Sequence, residues 1–436
     1  MIRNTHEMIS SPDRIVATFA RTWFVCGLAH VLANVATVLV LGGSRSLAAE
    51  GDWPQWRGPA SDGHSAETNV PVKWDEKSIV WKSELPGSGQ SSPVIAGDRI
   101  FLTAEQQKGR ERIVFCVDRK NGKILWKETV WTGEPEKSHQ MNGWASATCA
   151  TDGKYVVAFF GKGGIHCFDA DGKKLWSKDI GQFNGAWGTG ASPLIVGDLV
   201  IQNCDAEGEA SITAFHKRTG DVVWKTPREV PPRGGWSSPV LVDAGERREV
   251  VLNGEDFVTG YDPETGKKLW FCKTFAGRGE PTATPANGLV FMLNGKSGDF
   301  YTLKPGGRGD ITQSHIAWHT PRKSKRDQPS PIVIGNFVLV VSMDGVASCY
   351  DAADGKELWK ERLGGNFTSS PIAANGLAYH QSDEGETVVI KPGPKLDIVA
   401  RNTLPAAKDE IFRASLTPSR GQMFSRSTKV LYCLGK

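Results

Sequence analysis

Residues 116–126 read CVDRKNGKILW, and the same phrase returns four times downstream. It recurs as CFDADGKKLW ending at Trp176, AFHKRTGDVVW ending at Trp224, GYDPETGKKLW ending at Trp270 and CYDAADGKELW ending at Trp359. Each copy holds a short apolar run, a turn at Asn121-Gly122, Asp171-Gly172, Thr219-Gly220, Thr265-Gly266 or Asp354-Gly355, and a second run closed by Trp. Glycine supplies the positive φ that a tight hairpin turn demands, so each copy predicts two antiparallel strands. A looser copy, FYTLKPGGRGDITQSHIAW, ends at Trp318, and IVWK contributes Trp81 ahead of the first full copy. From Trp81 to Trp359 these tryptophans fall 45, 50, 48, 46, 48 and 41 residues apart. Repeats of that length with several strands each are the signature of propeller blades.

A second motif supplies the other half of each blade. Ser-Pro or a close match stands at Gln90-Ser91-Ser92-Pro93, Gly190-Ala191-Ser192-Pro193, Trp236-Ser237-Ser238-Pro239, Gln328-Pro329-Ser330-Pro331 and Thr368-Ser369-Ser370-Pro371. Looser matches stand at Trp144-Ala145-Ser146-Ala147, Thr282-Ala283-Thr284-Pro285 and Arg413-Ala414-Ser415-Leu416. Apolar runs such as VIAGDRIFL, LIVGDLVIQ and IVIGNFVLV follow, each broken by a Gly-Asp or Gly-Asn hairpin signal. One blade is therefore four antiparallel strands. The chain opens with an unpartnered fourth strand at 79–85 and finishes with an unpartnered third strand at 430–434; pairing them completes one blade and leaves no open edge. With the Trp-less segment around Val399 counted, the expectation is an all-β, eight-bladed propeller closed by its N- and C-terminal strands.

The formal net charge is +4; residues 1–49 carry Arg3, Arg14, Arg21 and Arg45 against Glu7 and Asp13, so the remainder carries 4 − 2 = +2. That balance offers no electrostatic footprint for nucleic acid. Trp23 to Leu41 is a 19-residue apolar run preceded by arginines and followed by small residues up to Ala49, the layout of a secretory signal peptide over residues 1–49. A retained membrane anchor is the competing reading. Residues 50–75, opening with DWPQWRGP, are expected to form an extended arm packed across the propeller of residues 76–436, since Pro54 and Pro59 exclude a helix and the tryptophans need cover.

The repeat of third strand, Asp, three residues, Gly, three residues, Trp resembles the quinoprotein-type propeller repeat of pyrroloquinoline quinone (PQQ) dehydrogenases and of the outer-membrane assembly lipoprotein BamB. The resemblance covers residues 76–436. It implies that the repeat tryptophans Trp81, Trp126, Trp176, Trp224, Trp270, Trp318 and Trp359 dock between neighbouring blades. His216 replaces the repeat Asp in one blade, and the turns near Trp318 and Val399 are altered. The resemblance does not bring the cofactor with it. PQQ alcohol dehydrogenases pair adjacent cysteines and bind calcium through Glu, Asn and Asp, whereas this chain has no Cys-Cys pair. Cys116, Cys167, Cys349 and Cys433 share one third-strand position, which suits a buried free thiol better than a disulfide framework.

Catalytic signatures are missing from the sequence: no HExxH, P-loop or GxSxG occurs, and the histidines are dispersed over different blades. What remains is a face at the mouth of the central channel. The column just before the Ser-Pro strands reads Gln90, Trp144, Gly190, Trp236, Thr282, Gln328, Thr368, Arg413, with Asn142, Trp187, Arg233, Arg278, Glu280, Arg326, Asp327, Asn366, Asp409 and Glu410 around it. Aromatic and Arg side chains at a concave rim compose a recognition surface. The leading expectation is an exported, monomeric, non-catalytic propeller of the periplasm or cell envelope that binds a protein or peptide, with no cofactor and no metal. A PQQ-dependent oxidoreductase is the alternative, for which Trp144, Trp236, Glu280 and Asn366 are the raw materials; a carbohydrate-binding module using the rim tryptophans is the third.

Overall fold

Each repeat carries the two strands of its Trp-ending hairpin and two more inside it. The computed structural model describes residues 50–228, 234–255, 257–274, 279–296, 298–322 and 326–435, so the signal segment lies outside the described residues. It contains eight sheets arranged as an eight-bladed propeller, seven of four strands and one of five. Blade 1 runs Val94–Ala96, Arg99–Gln106, Glu111–Asp118 and Ile124–Thr132, and blades 2 to 7 repeat that order. Blade 8 is assembled from both ends: Thr417–Ser419, Gln422–Arg426 and Val430–Leu434 from the C-terminus, and Ile79–Glu84 from the N-terminus. The last two pair antiparallel, with Trp81 opposite Cys433 and Glu84 opposite Val430. Single turns at Glu76–Ser78 and Gly161–Gly163 are the only helical elements among the described residues.

A β-bulge sits at one position in every blade. The register slips at Val80, Leu125, Leu175, Val223, Leu269, Ala317, Leu358 and Val399, each one residue before the repeat Trp or, in blade 7, before Ala400. A bulge raises the local twist of the strand, and here it accompanies an indole turned toward the next blade. Trp81 Nε1 donates to Arg119 O (3.1 Å), Trp126 to Ala170 O (3.1 Å), Trp176 to Lys217 O (2.8 Å), Trp224 to Pro263 O (3.1 Å), Trp318 to Ala352 O (3.1 Å) and Trp359 to Gly393 O (3.0 Å). Each acceptor belongs to the turn region of the following blade. The ring itself lies over that blade's turn glycine: a Cβ on Gly266 would sit 2.3 Å from the Trp224 ring, and one on Gly172 would sit 2.6 Å from the Trp126 ring. Those glycines therefore serve the φ of the turn and also the seating of the neighbouring indole.

Trp270 departs from this pattern. It is fully buried, but its Nε1 donates back into its own blade, to Glu249 Oε2 at 2.7 Å. The reason lies in the next blade, whose Asp-x-x-x-Gly turn is replaced by the long connection between Leu303 and Ile316. That connection lays Gly309–Asp310 parallel to Trp270–Phe271 as the fifth strand of blade 4 and buries Leu269. With no turn carbonyl in reach, the indole is satisfied by Glu249, itself buried and bonded by Arg247 Nε at 2.7 Å.

The arm of residues 50–75 crosses one face of the disc. Trp53 exchanges backbone hydrogen bonds with Ile95 of blade 1, Pro54 O accepts from Thr151 N of blade 2 (2.8 Å), and Gly63 O and Ser65 N bracket Ala373 of blade 7 (2.8 Å each). Trp53 is buried in the core shared with blades 1 and 8, and Trp74 stacks on Tyr379 with centroids 6.4 Å apart. Arg57 reaches under the channel to bond Thr284 Oγ1 and Pro331 O, each at 2.7 Å. The arm closes that end.

Two glycine substitutions separate turn geometry from docking. Gly197 (φ +58°) and Gly266 (φ +69°) both need positive φ, but a Cβ at Gly197 meets nothing within 4 Å. Gly197→Ala is expected to cost only the backbone strain, ~1–2 kcal/mol. Gly266→Ala adds the displacement of Trp224, a further ~1–3 kcal/mol of overpacking. Denaturant midpoints check this; equal losses for the two would show that the indole does not press on the turn.

Candidate functional site

The inner strands bring two rings of side chains around the channel. The lower ring is Ser92, Thr148, Ser192, Ser238, Thr282, Ser330, Ser370 and Ser415. Backbone N–H groups of one blade donate to the hydroxyl of the next: Ser92 N to Thr148 Oγ1 (2.8 Å), Thr148 N to Ser192 Oγ (3.0 Å), Ser192 N to Ser238 Oγ (2.8 Å) and Ser238 N to Thr282 Oγ1 (3.0 Å). The chain of contacts continues from Thr282 N to Ser330 Oγ (3.0 Å) and Ser330 N to Ser370 Oγ (3.0 Å), and Ser415 N returns to Ser92 Oγ (2.9 Å). The Ser of the Ser-Pro motif is thus a blade-to-blade acceptor.

Above it stands the mouth ring: Gln90, Ser146, Gly190, Trp236, Glu280, Gln328, Thr368 and Arg413. Six of these positions match the column read from the sequence; Ser146 and Glu280 take the places expected for Trp144 and Thr282. The strand pairing explains the difference. Val94 pairs with Phe101, and the equivalent partners in blades 2 and 5 are Ala150 with Val157 and Thr284 with Phe291. Counted back from the hairpin turns at Gly97, Gly153 and Asn287, the ring hydroxyl is always five residues earlier, at Ser92, Thr148 and Thr282. The turn fixes the register. Matching Ser-Pro-like letters shifted both blades by two.

The two rings enclose a blind well. Its deeper compartment, about 140 Å³, has Trp56 of the arm as a wall and the lower-ring hydroxyls around it. An outer compartment of about 160 Å³ adds His139, Met141, Asn142, Trp187 and Arg326. Gln90, Trp236, Glu280, Gln328, Thr368 and Arg413 line both. The rim is braced across blades. Arg326 Nη2 bonds Glu280 Oε1 at 2.8 Å while its guanidinium lies 5.7 Å from the Trp187 ring centroid, and His139 packs on the same ring at 4.5 Å. Asn142 Nδ2 donates to Trp187 O (2.9 Å), and Gln90 Nε2 donates to Asn142 O (2.5 Å). Arg413 Nη1 bonds Gln140 O at 3.1 Å, and its Nε lies 3.5 Å from Asp383 Oδ2, whose carboxyl burial pushes above the usual carboxylate range.

Of the sequence-read rim residues, Gln90, Asn142, Trp187, Trp236, Glu280, Arg326, Gln328 and Arg413 meet at this well. Others do not. Trp144 turns outward, donating to Glu136 O (2.8 Å) and covering, with Trp131, the buried Arg112–Glu136 pair. Asp327 is fully buried and ion-paired to Arg322 at 2.8 Å, a structural position rather than a rim. Asn366 is exposed and holds Glu384 at 2.9 Å outside the cavity lining. Glu410 is buried against Tyr432 Oη (2.9 Å), and Asp409 pairs with Lys429. Arg233 and Arg278 lie outside the described residues. Trp56, His139, Met141 and the hydroxyl ring were not read as site residues; the turn-counted register would have found the ring.

The family comparison follows from this geometry. A family model described as outer membrane protein assembly factor BamB matches residues 65–136, 110–286 and 310–392. The chain belongs to that family of PQQ-like β-propellers. BamB of Burkholderia pseudomallei (strain K96243) is 23% identical over 298 residues, covering 64% of this chain and 68% of that protein. The polyvinylalcohol dehydrogenase of a Pseudomonas species is 23% identical over 236 residues, 44% of this chain but only 35% of that protein. The crystal structure of BamB from Moraxella catarrhalis superposes with a TM-score of 0.59 at 17% identity, covering 82% of this chain and 99% of that one, which shows the shared fold.

The dehydrogenase likeness requires a test of whether this channel fits a quinone with calcium. A calcium site takes ~6–8 oxygens, carboxylates prominent among them. Among the described residues the well offers one carboxylate, Glu280, already paired with Arg326, and the amides of Gln90, Asn142 and Gln328. Among the described residues no three His, Cys, Asp or Glu side chains converge. The donor set does not fit. The described cysteines are free and buried, and burial pushes the Cys116, Cys167, Cys349 and Cys433 thiols up to about 12.

The buried histidines are part of the packing. Burial lowers His166 to about 4 and His380 to about 3, from an ordinary value of 6.5. A folded state that binds these protons less readily than the unfolded chain keeps its full contribution above pH 6.5 and loses it as pH falls toward those values. Melting temperature is therefore expected to decline between pH 6.5 and 5, and less steeply in His380→Gln. Parallel pH profiles for parent and variant would place His380 in a hydrated setting instead.

Proposed function

We propose that this BamB-family propeller is a non-catalytic, exported scaffold of the cell envelope whose channel mouth docks a protein or peptide partner. The observation that carries this reading is the braced rim around a blind well. Trp187, Trp236, Arg326 and Arg413 are half-buried and held by contacts from neighbouring blades, so they are ordered before a partner arrives. Rigid aromatic and Arg side chains around a concavity are the composition of binding hot spots, and preorganisation removes the ordering cost of association. The family's name, outer membrane protein assembly factor, supports an envelope setting. Export by residues 1–49 belongs to the same proposal, as does membrane contact through that segment alone if it is retained.

The second reading, a quinone-dependent oxidoreductase, draws on the likeness to polyvinylalcohol dehydrogenase. The carboxylate-poor donor set argues against it. Residues 50–436 mixed with PQQ and Ca²⁺ are expected to emerge from gel filtration without quinone absorbance; stoichiometric retention would reverse the choice.

A photo-crosslinking residue placed at Trp187 or at Val223, on the outer edge of blade 3, tests the docking face. Adducts with envelope proteins are expected from position 187, lost on adding Trp236→Ala with Arg326→Ala, and none from position 223. Adducts from 223 but not 187 would move the partner to the outer edge.

A further inference from the structure

The lower ring has unspent hydrogen-bonding capacity of one sign. A hydroxyl has one donor and two acceptor sites. Ser92, Thr148, Ser192, Ser238, Ser330 and Ser370 each line the deeper compartment and each accept a backbone N–H from an adjacent blade. Those contacts use acceptor sites and leave the O–H groups, which rotate freely about C–O, to point where an acceptor is offered. The acceptors in the compartment's wall are the amide oxygens of Gln90 and Gln328, the hydroxyls of Thr368 and Ser415 and the Glu280 carboxylate. Ser146 donates to Asn142 Oδ1 at 2.5 Å, and among the described lining residues the one carboxylate, Glu280, accepts from Arg326 through Oε1.

Two buried guanidinium groups lie next to ring residues, while the compartment's own wall carries Glu280 and Arg413. Arg57, 1% exposed, bonds only neutral oxygens: Thr284 Oγ1 and Pro331 O at 2.7 Å and Asp62 O at 2.9 Å, with Nε left unpartnered. Arg426, fully buried where blade 8 meets blade 1, likewise bonds Ser91 O and Thr103 O at 2.8 Å. A buried cation bonded only to neutral oxygens is costly, and here burial pushes Arg57 down to about 10 against the opposing pull of the Asp62 carboxylate, and Arg426 down to about 9. At the mouth Arg413 adds a third guanidinium, ion-paired with Asp383 at 3.5 Å.

We infer that the deeper compartment is a binding site for one small oxyanion group, a carboxylate or a phosphate, held by the converging hydroxyls of the lower ring, with the Arg57 guanidinium buried behind Pro331. Its volume of about 140 Å³, well above the ~10–15 Å³ that one water needs, admits acetate, phosphate or the end of one acidic side chain. The inference stands on the ring and the arm and does not depend on which protein the rim docks.

Calorimetric titration of residues 50–436 with inorganic phosphate and with acetate, at ionic strength held constant with chloride, tests it. Saturable binding is expected, with thermal stabilisation that grows as 1 + [L]/Kd, so that 100 Kd of anion shifts the folding equilibrium about 100-fold. Ser238→Ala with Ser330→Ala should weaken binding at least tenfold. If that pair unfolds the ring, Gln328→Trp, which narrows the well from its mouth, should abolish the anion response in a chain that still melts cooperatively in chloride. Repeating the position-187 crosslink in saturating phosphate assigns the source: suppressed adducts mean the oxyanion is carried on the partner, unsuppressed adducts mean it is a free anion. A titration indistinguishable from chloride, or equal affinity in the parent and the variants, would overturn the site and leave the well filled with water only.

Discussion

The ring depends on one noncovalent joint, the pairing of Ile79–Glu84 with Val430–Leu434. Every other blade takes its four main strands from one continuous stretch of chain, but blade 8 exists only when the two ends of the propeller meet. The joint is reinforced on both sides. Trp81 reaches forward to Arg119 of blade 1, Ser415 N bonds Ser92 Oγ, and Arg426 spans from blade 8 to Ser91 and Thr103. Each blade buries its faces only against its neighbours, so an unclosed array would expose the cores of blades 7, 8 and 1 together. No disulfide shares the load, since the described cysteines are free.

Much of this was legible in the sequence because it is written as repetition. The hairpin glycines, the terminal tryptophans and the orphan strands at both ends each report a local rule of backbone geometry, and eight blades closed by the termini follow from counting them. What escaped depends on contacts between repeats. Trp270 looks like its fellows, yet the acceptor it lacks is 30 or more residues downstream, in a connection whose letters announce only a longer turn. Trp144 and Thr282 were misplaced because similar letters outweighed strand register; the Asn287-Gly288 turn held the answer. Asp327 gave no sign in its neighbours that Arg322 would bury it.

The arm gives the propeller its polarity. Trp56 lines the deeper compartment and Arg57 is buried against Thr284 and Pro331, so the arm contributes a wall to the cavity alongside the hydroxyls. A through-channel would be flushed by solvent from both faces. A blind well keeps its polar groups partly dehydrated, which strengthens each electrostatic contact made there. The rim above it combines flat aromatic surface with fixed guanidinium groups, the mix expected where a partner's backbone and side chains are gripped together. Fold and site are thus coupled, because the inner strands that hold blades together through their serines also present those serines to the well.

Closure can be tested apart from function. Residues 50–429, which lack Val430–Leu434, leave Ile79–Glu84 without its partner and Glu410 without Tyr432. Sedimentation velocity and thermal unfolding of this truncated chain beside residues 50–436 are the direct measurement. The account predicts self-association or aggregation and a sharply lower melting temperature. A truncated chain that sediments as a monomer and melts with the parent would contradict it.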